Sequence, residues 1–178
     1  IQLRLKDQNK TKSFMEKIIQ IRKICEDFSV AFIVNDDVEL AIKVEADGVH
    51  LGQHDISYPA ARRILGNDKI IGISCYNNLS RAVDAAARGA SYIALGSFYN
   101  SVTKKRAPRC GIDVLQQTSK KIKVPIVAIG GITAENGLIL IENGANFLAC
   151  IDALFKDNNG FNSARELNLL FEPVIANE

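Results

Sequence analysis

The sequence predicts an α/β chain of the (β/α)8 barrel class. Short apolar runs alternate with longer helical patterns at roughly 20–30 residues per unit, which is the rhythm of parallel strands joined by crossover helices. Three segments echo each other: ADGVHLGQ at 46–53, RGASYIALGS at 88–97 and NGANFLACI at 143–151. Each ends a helix and enters a buried strand. Polar residues also gather where the strand patterns stop, and in barrels of this kind the functional site lies at the strands' C-terminal ends.

The strands are expected in order at IQLRL (1–5), VAFIV (30–34), GVHLG (48–52), IIGIS (70–74), YIALG (92–96), IVAIG (126–130) and NFLACI (146–151). Each is short, apolar or alternating, and bounded by turn residues. Helices are expected over 13–28, where apolar residues recur at helical spacing, and over 38–45, after an Asp36–Asp37 start signal. Others are expected over the alanine-rich 80–88, over 134–142 with its Asn143–Gly144 stop, and over 163–175. An open doubly wound sheet is the competing architecture, but no GxGxxG follows the first strand. Seven strands are seen where a barrel uses eight, so the expectation is a single barrel domain over 1–178 that lacks its first strand and helix before Ile1.

Composition narrows the function classes. The 178 residues, 47% hydrophobic and 24% charged, suit one globular domain with a sizeable core. A net charge of +2 argues against nucleic acid or an anionic membrane as partner. The basic residues at 104–109 lack an aromatic platform for bases. No apolar run approaches the roughly 18 residues of a membrane span. Cys25, Cys75, Cys110 and Cys150 are widely spaced and suit thiols in a reducing cytoplasm. With His50 and His54 as the two histidines, no zinc-type spacing can be assembled.

The strand ends carry the chemistry. Gln2, Arg4 and Lys6 share one side of a period-2 strand and suit an anionic ligand. Asp36 and Asp55 end neighbouring strands; converging carboxylates call for a cation, and Mg²⁺ takes carboxylate, phosphate and water oxygens together. Asp36 serves equally well as a helix cap. Gly130–Gly131 between a strand and a helix lets backbone N–H groups approach a phosphate. Ser101, Thr103 and Lys104 offer two hydroxyls and a point charge for phosphate, whereas Lys105, Arg106 and Arg109 read as a solvated basic loop.

Taken in order, QLRLK (2–6), VNDD (34–37), DGVHLGQHD (47–55), IGIS (71–74), SVTK (101–104) and VAIGGIT (127–133) resemble the thiamine phosphate synthase family, over essentially the whole chain. The resemblance implies coupling of a hydroxymethylpyrimidine diphosphate to a thiazole phosphate, assisted by Mg²⁺, in the cytoplasm, with a homo-oligomer as a possible state. It implies that Arg4, Lys6, Asn35, Ser74 and Lys104 hold the diphosphate, with Arg4, Ser74 and Lys104 closest to catalysis. Asp36 and Asp55 would hold Mg²⁺, and Gln2 the pyrimidine. Ser101, Thr103 and Gly131, with Gly130 beside it, would hold the thiazole phosphate. Three positions depart from the family pattern. NSVTK replaces a PTxTK-like loop, His54 replaces a glutamate, and Asp152 stands where the last strand usually ends in serine. The alternatives are a thiazole tautomerase of the same superfamily and a phosphate-binding barrel without activity.

Overall fold

A computed structural model of the chain describes residues 1–5, 11–100, 108–156 and 159–172. Its elements alternate throughout: β1 (Gln2–Leu3), α1 (Lys12–Asp27), β2 (Ile33–Asn35), α2 (Val38–Lys43), β3 (Gly48–Leu51), α3 (Tyr58–Leu65), β4 (Ile70–Tyr76), α4 (Leu79–Ala87), β5 (Tyr92–Gly96), α5 (Ile112–Ser119), β6 (Ile126–Ile129), α6 (Ala134–Glu142), β7 (Phe147–Ala149), α7 (Asp152–Phe155) and α8 (Gly160–Leu169). All seven expected strands form, most with different ends. The expected helices form too, though the last, expected over 163–175, is found as α8 and stops at Leu169, and residues 173–175 lie outside the described residues. Three further helices, α3, α5 and α7, were not legible. The α3 segment YPAARRIL is short and starts with proline one residue in, and the N-cap of α5 is Gly111, which offers no capping side chain. Asp152, expected at the end of the last strand, instead opens α7 and is exposed.

The chain forms two compact units, residues 1–74 with 88–91, and residues 75–87 with 92–178. In the first, β1, β2, β3 and β4 lie side by side in sequence order, all parallel. Leu3, Val34, Val49 and Ile71 stand level in register and define one face of this sheet. That face is apolar: Val34, Val49, Leu51 and Ile71 are all at most 1% exposed. The helix α2 packs on β2 and β3 through buried Val38, Leu40 and Ala41. Val38 and Leu40 each contribute on the order of 1.5–3 kcal/mol of burial, and the Ala41 methyl about 0.8 kcal/mol. In the second unit β5, β6 and β7 are likewise parallel neighbours, and Ile93, Leu95, Ala128 and Leu140 are among its fully buried residues.

The three echoing segments share one device. Asp47 donates its N–H to the Phe32 carbonyl at 2.9 Å, and its Oδ2 accepts from the Phe32 N–H at 2.7 Å. Ser91 does the same with Ile71, at 2.9 and 3.0 Å. Asn146 repeats it with Ile126, both at 2.8 Å. In each case a short polar side chain just before one strand closes a two-point clasp on the start of the strand before it. The residue two positions earlier has positive φ: Glu45 at 53°, Gly89 at 91° and Gly144 at 105°. The intervening Ala46, Ala90 and Ala145 are buried. This is a left-handed helix stop followed by a register clasp.

Candidate active site

Register decides which polar side chains meet. Gln2 stands opposite Ile33, Ile33 opposite Gly48, Asn35 opposite His50, and His50 opposite Gly72. Side chains alternate along a strand. Gln2, Asn35, His50 and Ser74 therefore share the face opposite Leu3, Val34, Val49 and Ile71. Arg4, one residue beyond β1, continues the parity of Gln2. One face of the first unit is thus apolar and helix-covered, and the other carries a polar row towards its strand C-terminal ends.

Within this row His50 and Ser74 are buried, at 7% and 4% exposure, and the His50 Nε2 lies 2.8 Å from the Ser74 Oγ. Gly72, level with His50, contributes no side chain, so the imidazole reaches along β4 to Ser74. Sequence reading weighed His50 only as a metal ligand. Alternation along β3 assigns His50 a face, but its neighbours Asn35 and Ser74 follow only from the register of the strands.

The two carboxylates follow neighbouring strands of the same unit. Asp36 has φ 66° and its N–H donates to the His50 carbonyl at 2.9 Å, so the backbone turns sharply just past β2. The helix cap falls to the next residue: Asp37 Oδ1 accepts from the Leu40 N–H at 2.8 Å. Asp55 is half-buried in the turn after β3, where Oδ2 accepts from the Gly52 N–H at 2.6 Å. Among the described residues no three His, Cys, Asp or Glu side chains gather in a metal-binding group. A cleft of about 540 Å³ runs past Leu3, Leu5, Val34, Asn35, Asp36 and Ile56. Its walls combine helix-covered Leu3 and Val34 with the acidic Asp36, Asp37 and Glu39, and Asn35 is the member of the polar row that it reaches.

The second unit holds the glycine turn. Gly130 and Gly131 have φ 98° and 64°. A Cβ on Gly130 would lie 2.0 Å from Ser97 Oγ, and one on Gly131 2.2 Å from the Asn100 carbonyl oxygen. Both positions therefore require glycine. Residues 97–99 run beside the turn, with the Phe98 and Tyr99 N–H groups donating to the Ile129 and Gly130 carbonyls. Thr133 and Asn136 form a capping box at the start of α6, and Asn136 Nδ2 also donates to the Gly131 carbonyl at 3.0 Å. Exposed Glu135 lies in the same first turn, its carboxyl held below the ordinary range by the Thr133 hydroxyl and its own backbone N–H.

The loop after β5 is closed at its base. Ser97 N–H donates to the Pro108 carbonyl and Cys110 N–H to the Ser97 carbonyl, at 3.1 and 2.9 Å. Arg109 was expected to be a solvated loop residue. It is exposed, and it also ties the base together, donating to the Phe98 carbonyl at 2.7 Å and to Asn100 Oδ1 at 2.6 Å. Lys6, Ser101, Thr103 and Lys104 lie outside the described residues, as do Lys105 and Arg106.

Parallel strands with crossover helices, a polar row towards the strand C-termini and a strand–Gly-Gly–helix turn place the chain among α/β proteins built to hold phosphorylated small molecules. Comparison with known proteins makes this particular. The family described as thiamine monophosphate synthase (TMP-TENI) matches residues 1–154. The thiamine-phosphate synthase of Thiobacillus denitrificans is 48% identical over 152 residues, covering 85% of this chain and 72% of that protein. That of Nitrosospira multiformis is 45% identical over 157 residues, covering 88% and 67%. The solved thiamine phosphate pyrophosphorylase of Pyrococcus furiosus superposes with a TM-score of 0.85 at 30% identity, covering 95% of this chain and 80% of that one. This chain belongs to the thiamine monophosphate synthase family.

Proposed function

We propose that the chain is a transferase that joins hydroxymethylpyrimidine diphosphate to thiazole phosphate, giving thiamine phosphate and pyrophosphate. The observation that carries this reading is the shared sheet face of Gln2, Arg4, Asn35 and Ser74, within a chain whose family match spans residues 1–154. The seven parallel strands and the Pyrococcus likeness support a (β/α)8 barrel as the finer architecture. A cytoplasmic enzyme, with self-association as a further possibility to test by its mass in solution, completes the reading.

Arg4, Lys6, Asn35, Ser74 and Lys104 hold the diphosphate by charge and hydrogen bonds. Gln2 fixes the pyrimidine. Ser101, Thr103, Gly130 and Gly131 take the thiazole phosphate; Ser101 follows Asn100, whose carbonyl packs on Gly131. Asp36 and Asp55 fit Mg²⁺, because that ion is commonly held by one or two carboxylates together with phosphate oxygens and water. When bound, Mg²⁺ would neutralise charge on the diphosphate leaving group.

The protein's own contribution is placement and charge. Two substrates held in line gain a large entropic advantage over free encounter. Basic side chains on the diphosphate stabilise the negative charge it gathers as its C–O bond breaks. The aminopyrimidine itself can feed electrons to its CH₂ as the diphosphate departs, and the thiazole nitrogen attacks that carbon. No activated protein nucleophile is required.

The test is a coupling assay with both substrates, run with Mg²⁺ and with chelator. Metal-dependent thiamine phosphate is expected. Absence of product from folded protein would overturn the reading. Asp36→Ala and Lys104→Ala are expected to lower the rate by about 10²-fold or more, on the scale of losing one charge-stabilising donor.

A further inference from the structure

We infer that His50 is a positioning residue that sets the direction of the Ser74 hydroxyl proton; this rests on the reading that Ser74 holds the diphosphate. A serine hydroxyl has one proton to donate and two lone pairs to accept with. To bind a phosphate oxygen, Ser74 must donate. A hydroxyl given no fixed partner turns freely, and one that donates to an imidazole nitrogen has spent its proton. The contact of 2.8 Å between His50 Nε2 and Ser74 Oγ therefore has one useful polarity. The imidazole carries its proton on Nε2 and donates it to Ser74 Oγ. The serine proton is then directed away from the ring, towards the ligand.

The surroundings favour such a fixed arrangement. Both residues are buried, so rotation of either side chain is restricted by packing. His50 lies on the central strand of a row, level with Asn35 on one side and Gly72 on the other. The backbone of the same residue is also fixed, its carbonyl accepting from the Asp36 N–H at 2.9 Å. A single residue thus touches two of the positions assigned to the diphosphate and its metal.

The experiment uses the full chain and two readouts. The first is a ¹⁵N–¹H long-range NMR correlation of the histidine rings at neutral pH. His50 and His54 are the only two histidines in the sequence, and His54→Gln assigns the pair. A ring protonated on Nε2 and bare on Nδ1 is expected for His50. A ring bare on Nε2 would mean that it accepts the serine proton, and would overturn the proposal.

The second readout is a kinetic cycle of His50→Leu, His50→Gln and Ser74→Ala. His50→Leu is expected to raise KM for the pyrimidine diphosphate or lower kcat by ~10-fold, the scale of one hydrogen bond to a charged group, with KM for the thiazole phosphate unchanged. His50→Gln should recover part of the loss, because its amide can still donate. In a Ser74→Ala background the histidine change should cost nothing further. An equal loss in both backgrounds, or equal effects on both KM values, would make His50 merely structural. A Ser74→Ala enzyme with full activity would remove the premise about Ser74 while leaving the coupling reaction intact. Should His50→Leu fail to fold, the ring tautomer and the glutamine variant still decide.

Discussion

Asp36 and Asp37 are adjacent and chemically identical, and the backbone separates them. Asp37 satisfies a helix N-terminal donor; Asp36 occupies the left-handed region, where aspartate is tolerated better than most residues. Substitution should separate the two roles. Asp37→Ala is expected to lower stability by about 1 kcal/mol, the usual worth of an N-cap, measured by urea denaturation, with metal dependence of the reaction preserved. Asp36→Gly should keep stability within ~1 kcal/mol, since glycine accepts this φ without strain, while the coupling rate collapses. A fully active Asp36→Gly enzyme would sink its assignment to the metal. From sequence the pair was ambiguous, because either aspartate satisfies the same pattern before a helix. The polar strand ends themselves were legible, since alternation alone lines up Gln2 and Arg4. The contact between His50 and Ser74 was not, because it depends on the relative register of two strands 24 residues apart.

Among the elements, the repeated clasp was visible as an echo of letters before its hydrogen bonds were known. What the letters did not show is why Asp, Ser and Asn interchange: each places an oxygen where one backbone N–H needs an acceptor. Asn146→Ala and Asp47→Ala are each expected to cost about 1–3 kcal/mol, because each leaves a strand-initial N–H without its partner. Glu45 fills the position taken by glycine in the other two copies, at φ 53°. Glu45→Gly is therefore expected to raise stability by roughly 1 kcal/mol, and a drop would show that glutamate contributes something beyond its backbone. In the glycine turn the sign reverses. Gly130→Ala meets Ser97 Oγ and backbone at once and is expected to cost ~2 kcal/mol or more, as overpacking does. The short helices α3 and α5 escaped sequence reading because neither carries a side-chain N-cap bond and each spans eight residues, too few for periodicity to stand out.

For the molecule as a whole, the thiols set an alkaline limit. None of the four cysteines is joined in a disulfide. Burial pushes Cys75 up to about 12 from an ordinary 9.0, against the lowering pull of Arg81, and raises Cys110 and Cys150 to about 11, with Asp113 adding to the rise at Cys110. Above about pH 9 the unfolded thiol ionises while the buried one stays protonated, which favours the unfolded state. Stability is thus fully retained below about pH 9 and falls as pH climbs towards 11–12. Denaturation midpoints measured from pH 7 to 11 should show that fall, and its absence in a Cys75→Ala, Cys110→Ala, Cys150→Ala variant would locate the cause. At neutral pH burial keeps the Cys75 and Cys110 thiols protonated and covered, so their alkylation is expected only on the timescale of opening, whereas half-buried Cys150 should react sooner. No helix among the described residues is long and apolar enough to cross a membrane.

The clasps also bear on how the chain comes to be folded. They join residues 15, 20 and 20 positions apart, and loop-closure entropy grows only with the logarithm of such spans. Each pairing draws on sequence already made when its second half arrives. Low contact order of this kind favours fast folding, and during synthesis it lets an incoming strand be registered against one already exposed. Nothing in these clasps waits for the end of the polypeptide. The arrangement lets assembly follow the order of translation.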